Sequence, residues 1–330
     1  MRKLRWGIIG AGRIATKAIV PAIRKSGNGE LVAIASRSGD KANALAAEHR
    51  VPTAHGSYEA LLADENVEAV YIGLPNGLHE EWSVAASNAG KHVLCEKALT
   101  MTVASARRMA VEARRNGKML MEAYMYRHHP QWNAVRDILR AGDIGAPVAI
   151  TATFVATLGD AGDHRWTPDL GAGVLFDITC YGINVSRYLA GEEPDSVSAF
   201  ADWKETNVDR TTLVSMRFPS GVVASAVGSF ASHFGQGVTV HGTAGRLEIV
   251  KPFIPGFDPT KLHLFDKSGE RMIEVPGADH FTEQVRHFTD CALAGKGLTF
   301  PGEDGVANTA VCESAARSAI TGSAVRPASL

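Results

Sequence analysis

From residue 4 to about 125 the chain alternates short apolar runs with amphipathic stretches, and few folds accept that rhythm. LRWGIIG, ELVAIAS, EAVYIGL, KHVLCE and GKMLME are rich in Val, Ile and Leu and bounded by Gly, Pro or charge, as buried strands are. Between them AIVPAIRKSG, DKANALAAEH, LHEEWSVAASNAG and TVASARRMAVEARRNG carry helical patterns. The last opens at Thr100 or Thr102 as N-cap and ends at Gly117, just past the helix. Strands alternating with helices at this spacing imply parallel strands joined by helical crossovers, with helices over both faces. Residues 1–125 are therefore expected to form a doubly wound α/β domain.

After about residue 145 the rhythm changes. APVAITATFVATL, SVSAFADW, TTLVSMRF, GVVASAVGSF and QGVTVHG alternate apolar and polar residues and follow one another closely, with Gly and Pro between them. That pattern predicts an open, mainly antiparallel sheet with one solvent or interface face. One helix, about 173–190, interrupts the strands, and two more, about 280–294 and 303–321, follow them. Residues 126–330 are expected to be an α+β domain packed against the first, since no low-complexity linker separates them.

A net charge of −1 leaves no basic surface for nucleic acid or an anionic membrane. No apolar run approaches the ~20 residues needed to span a bilayer, and MRKLRWGIIGAG runs straight into a strand rather than a leader. Cys95, Cys180, Cys291 and Cys312 lie far apart, without a CxxC pair, and read as free thiols with no metal site. The expectation is a cytoplasmic protein with a small-molecule partner.

Gly10-Ala-Gly12-Arg13-Ile14-Ala15 follows the first strand and opens the first helix. Such glycines let the backbone turn tightly and admit a pyrophosphate to a helix N-terminus, where unpaired N–H groups and the dipole favour anions. The reading is a Rossmann dinucleotide site. The second strand ends Ala35-Ser36-Arg37-Ser38, with Lys41 four residues after Arg37. An NAD site usually carries Asp or Glu here for the ribose 2′-hydroxyl. A carboxylate would repel a 2′-phosphate, whereas an arginine fork binds one. NADP(H) is the expected cofactor.

Three segments fall at the carboxyl ends of strands, where open α/β sheets bind ligands. They are Leu74-Pro75-Asn76-Gly77-Leu78-His79, Cys95-Glu96-Lys97, and Glu122 through Tyr124, Tyr126, Arg127, His128 and His129 to Pro130. Lys97, at a strand end near the expected nicotinamide, is a candidate catalytic cation. A fourth segment, Gly171-Ala172-Gly173 leading to Asp177 and Tyr181, places the last two at i, i+4 on one helical face.

On these residues the chain resembles the Gfo/Idh/MocA oxidoreductases, named for glucose-fructose oxidoreductase, inositol dehydrogenase and a rhizopine-catabolism protein. The glycine turn, PNxxH, EK, the GxG…D…Y helix and a late helix from Gly302 to Gly322 carry the resemblance over nearly the whole length. Within the family, EAYMYRHHP and Tyr181 look most like NADP-dependent D-xylose 1-dehydrogenases and dimeric dihydrodiol dehydrogenases. The resemblance implies that Lys97 is the catalytic lysine, Tyr181 the acid/base and His79 a residue of the nicotinamide loop. It also implies a C-terminal sheet that forms a dimer face, giving a homodimer or a dimer of dimers. Ala98 stands where the family usually has Pro, and Thr179 where Gly is common.

Hydride transfer from a sugar C–H requires removal of the neighbouring O–H proton. Free tyrosine, with a pKa near 10, is a poor base at neutral pH. A lysine ammonium favours tyrosinate and stabilises the developing alkoxide, and Asp177 would orient Tyr181 or a substrate hydroxyl. Arg127, His128, His164 and Trp166 are the candidates for holding the carbohydrate: polar groups for hydroxyls, an aromatic face for a pyranose. The leading expectation is a sugar dehydrogenase or ketoreductase using NADP(H). The alternatives are a glycosidase that retains NAD and uses transient oxidation, which Arg37 argues against, and a redox-silent sensor, which would need neither Lys97 nor Tyr181.

Overall fold

A computed structural model describes residues 2–159, 162–171, 173–204 and 207–329, so Ala172 of the second glycine run lies outside the described residues. The described chain divides into two compact units. The first comprises residues 1–125 together with Asp279–Val306, and the second Tyr126–Ala278 with Ala307–Leu330.

The first unit is built on a six-stranded sheet with the order β3-β2-β1-β4-β5-β6. Its strands are β1 (Leu4–Ile9), β2 (Gly29–Ala35), β3 (Thr53–His55), β4 (Ala69–Ile72), β5 (His92–Cys95) and β6 (Leu120–Glu122). Every pairing is parallel. The crossovers carry α1 (Val20–Lys25), α2 (Gly39–Glu48), α3 (Tyr58–Leu62), α4 (His79–Asn88) and α5 (Val103–Arg115). Thr102 is the residue that caps α5, its hydroxyl accepting from the Ser105 N–H, and Gly117 follows the helix at φ 64°. The order reverses between β1 and β4, so the loops leaving these two strands flank the crevice where doubly wound sheets take ligands.

The linear division at 125/126 needs one correction, because α8 (His280–Ala294) joins the first unit and not the domain expected over 126–330. The reason is apolar. Val285 and Phe288 belong to the same buried cluster as Trp6, Ile8, Ile19 and Ile23. The Phe288 ring lies 5.2 Å from that of Trp6, whose indole N–H donates to the Thr289 hydroxyl at 3.2 Å. Fully burying a side chain such as Phe288 contributes roughly 1.5–3 kcal/mol, more than a surface loop would return at this position.

The second unit carries an eight-stranded sheet with the order β14-β13-β12-β11-β7-β10-β9-β8. Its strands are β7 (Pro147–Thr157), β8 (Ser196–Trp203), β9 (Asp209–Arg217), β10 (Val223–Ser229), β11 (Ala231–Gly242), β12 (Gly245–Ile249), β13 (Thr260–Asp266) and β14 (Gly269–Val275). All neighbours are antiparallel except β7 with β10. α6 (Gln131–Ala141) precedes the sheet and α7 (Cys180–Ala190) packs against one face of it. Small residues allow a close approach there: a side chain at Gly182 would meet the Ala226 Cβ at 2.7 Å. α9 (Gly302–Thr321) begins in the first unit and ends in the second.

Candidate active site

In the first unit the turn after β1 is shaped by Gly10, at φ 94°, where a Cβ would lie 2.6 Å from the Gly73 carbonyl oxygen. Only glycine fits that position. Gly12 differs: a Cβ there would meet nothing closer than 3.7 Å. Packing within the chain therefore does not require glycine at position 12, whereas close approach of a ligand backbone would. Arg13 and Ile14 are exposed beside it, and Ala15 is buried at the start of a π-helical turn, Ala15–Ile19, which runs into α1. These residues fit a dinucleotide pyrophosphate.

Ser36 follows β2 with its hydroxyl accepting from the Ser38 N–H at 3.3 Å, and Ser38 in turn caps α2 by accepting from the Lys41 N–H. Arg37 and Lys41 are exposed on this turn, and the Arg37 guanidinium lies by Tyr58, whose pKa burial raises while the guanidinium lowers it. No carboxylate stands at positions 35–38, so the turn presents cations and hydroxyls.

The loops after β4 and β5 are riveted together by His79. Its ring is fully buried, with Nε2 2.8 Å from the Leu74 carbonyl oxygen and Nδ1 3.0 Å from that of Ala98 and 3.2 Å from that of Leu99. Burial pushes its pKa below the ordinary imidazole value, the three carbonyls oppose that shift, and the charge of Lys97 adds to it. A ring so enclosed serves to pin the Leu74-Pro75-Asn76 loop. The Lys97 loop is anchored on both sides. Glu96 accepts from the Tyr71 hydroxyl at 2.7 Å and from the Lys97 N–H at 3.3 Å, and the Leu99 N–H donates to the buried Glu122 carboxylate at 2.7 Å. The Lys97–Ala98 peptide is cis.

In the second unit Tyr181 is 4% exposed and sits among aromatic rings, 5.3 Å from Phe154, 5.4 Å from Phe253 and 5.8 Å from Tyr126. Its helix does not begin as an α-helix. Leu175–Thr179 is a π-turn, hydrogen-bonded i to i+5, so the regular i, i+4 spacing expected for Asp177 and Tyr181 is replaced by a wider winding. The N-terminus of this turn is held from β9: the buried Asp209 carboxylate accepts from the Leu175 N–H at 2.9 Å and from the Thr212 hydroxyl. Burial pushes Asp209 up to about 6 despite these donors. Gly173 lies against it, and a Cβ there would fall 1.9 Å from Asp209 Oδ1.

The expected carbohydrate-holding residues fall in different settings. Arg127 is buried, its Nε donating to Asn184 Oδ1 at 2.7 Å, and Tyr126 donates to the same oxygen at 2.6 Å. Arg127 is thus a member of a buried network one helical turn beyond Tyr181. His128 is part-buried at the end of the 3₁₀ turn Met125–His128. His164 and Trp166 share the 3₁₀ turn His164–Trp166, where Lys204 stands 3.8 Å over the Trp166 ring. Arg165, between them, pairs with Asp177 at 2.9 Å. Sequence reasoning missed Arg165 and Asp209, because long-range folding rather than any local motif brings them to the helix.

Comparison with known proteins places the chain in a family. Residues 4–124 match the GFO/IDH/MocA oxidoreductase family, NAD-binding Rossmann fold, and residues 132–248 match the GFO/IDH/MocA C-terminal domain. The chain belongs to this family and is an oxidoreductase. It is 36% identical to the NADP(+) D-xylose 1-dehydrogenase 2 of Haloferax volcanii, over 98% of this chain and 99% of that one. It is 34% identical to the 1,5-anhydro-D-fructose reductase of Ensifer adhaerens, over 97% of each chain. A 3-ketoreductase from Actinomadura kijaniata, solved with NADP and TDP-benzene, superposes with a TM-score of 0.91 at 30% identity, covering 96% of this chain and 98% of that one.

Proposed function

We propose that this protein is an NADP(H)-dependent dehydrogenase or reductase acting on a CH–OH or keto group of a sugar or sugar-like polyol. The observation that carries the reading is the anchored loop around Lys97. Tyr71 (through Glu96), Glu122 and His79 fix the loop on both sides of the part-buried Lys97 at the carboxyl edge of a dinucleotide-type sheet. The relatives support the substrate class, since two of those just compared are named for D-xylose and 1,5-anhydro-D-fructose and the third is named a 3-ketoreductase.

In this proposal Gly10, Gly12, Arg13, Ile14 and Ala15 receive the pyrophosphate, Ser36, Arg37 and Lys41 the 2′-phosphate, and Leu74, Pro75, Asn76, Glu96 and Lys97 border the nicotinamide. Bound NADP(H) supplies or accepts the hydride. Tyr181 passes the hydroxyl proton, taking it in oxidation and returning it in reduction. Lys97 offers its charge to the oxygen on which negative charge develops. General acid–base help of this kind is worth about 10²–10⁴-fold in rate.

The test is kinetic, on a panel of aldoses and keto-sugars followed by NADPH absorbance. Lys97→Ala and Tyr181→Phe should each lower kcat by at least about 10² with NADP affinity nearly unchanged. The double variant should be little worse than the poorer single one, because both residues serve one proton transfer. Near-normal turnover by Tyr181→Phe would sink the assignment.

A further inference from the structure

Arg165 joins the loop Asp163–Trp166 to the π-turn that leads to Tyr181. Arg165 donates from Nη1 to Asp163 Oδ2 at 2.9 Å, and its Nε lies 2.9 Å from Asp177 Oδ2. Asp163 is itself the cap of the loop's 3₁₀ turn, its other oxygen accepting from the Arg165 N–H at 2.9 Å. The backbone is folded tightly behind this pair: a Cβ at Gly171 would lie 2.4 Å from the Arg165 Cα. Burial works against the charge of Arg165, but Asp177 first and Asp163 second more than offset it. The planar guanidinium is suited to this geometry, since two of its edges serve two carboxylates at once, which a lysine ammonium does less well.

We infer that Arg165 is a positioning residue that sets the register of the substrate-holding loop (His164 and Trp166) against the helix bearing Asp177 and Tyr181. The inference rests on the sugar-oxidoreductase reading given above. A group that fixes two elements relative to each other governs how well the substrate is held in its reactive orientation. Loss of the Asp163 contact leaves the Arg165–Asp177 pair in place and loosens only the turn that carries His164 and Trp166, which weakens binding. Loss of the guanidinium removes the Arg165–Asp177 pair as well, and so reaches the chemical step.

Four variants separate these effects: Asp163→Asn, which keeps the capping oxygen, Arg165→Met, Arg165→Lys, and the double Asp163→Asn/Arg165→Met. Asp163→Asn should raise the sugar KM several-fold with kcat within about twofold of wild type, whereas Arg165→Met should raise KM at least about tenfold and also lower kcat. Arg165→Lys should recover part of both losses. The double variant should match Arg165→Met, because both substitutions break the same bridge. An unchanged KM in both single variants, or fully additive losses, overturns the inference. Should wild type turn over no sugar, the reading of the site fails, and hydrogen exchange decides this inference separately. Arg165→Met should speed amide exchange over both 163–170 and 174–181, and unchanged exchange in either segment overturns it.

Discussion

At the scale of the residue, the cofactor preference is a testable expectation. Ser36 and Arg37 stand where an acidic side chain would favour NAD, and Arg37 is exposed at the end of β2 with Tyr58 beside it. NADP(H) should bind at least about tenfold tighter than NAD(H), which is about 1.4 kcal/mol. Arg37→Ala should lose most of that preference, as titration with each nucleotide would show, and equal dissociation constants in wild type would refute it. The NADP cofactor was legible because its signal is local, a few consecutive residues at a strand end without a carboxylate. Arg165 was not legible for the opposite reason. Its partner Asp177 lies 12 positions further on, and only the fold of the intervening glycine-bearing loop brings the two together.

At the scale of the element, the π-turned start of the Tyr181 helix depends on a carboxylate from another strand. Asp209 has an ordinary value of 3.8 and stands near 6 in the folded protein, where burial is the dominant cause. A raised carboxylate binds its proton more tightly folded than unfolded, so its contribution to stability falls as pH rises between the two values. The swing is about 3 kcal/mol. Relative to Asp209→Asn, which does not titrate, wild type should gain most of that, about 2 kcal/mol, on going from pH 7 to pH 4. Urea midpoints measured across this range would check the sign, and a flat difference would contradict it. The elements themselves were read unevenly from sequence. The buried parallel strands and the caps of α5 stood out, because apolar runs and Thr102 are short-range signals. The strands β12, β13 and β14 were not foreseen: GRLEI, TKLHLFD and GERMIEV mix charges into alternating patterns that resemble exposed loops. The π-turn at Leu175–Thr179 has no composition of its own, and it forms where Asp209 and Gly173 set the start of the helix.

For the whole molecule, the eight-stranded sheet raises the question of assembly. On β8, β9 and β10 the residues facing away from α7 include Phe200, 74% exposed, with Leu213 paired to it across the strands and Val227 paired to Leu213 in turn. Around them Ser196, Ser198, Ser215 and Ser225 make a shallow, small-residue depression. Such a surface is suited to a second copy of the same sheet, and the protein is expected to be a homodimer of twice its 35.1 kDa chain mass. Light scattering at micromolar concentration should give that mass, and Phe200→Glu should shift it towards the monomer. A wild-type monomer would refute the expectation. The return of α8 to the first unit has a consequence of a different kind, for the time order of synthesis. A ribosome releases Trp6, Ile19 and Ile23 early, but Val285 and Phe288, which share their core, come more than 250 residues later. At roughly 5–20 residues per second, that interval is on the order of 13–50 seconds, during which this patch of the nascent chain has no native cover. The first half of the protein to be made is therefore among the last to be finished.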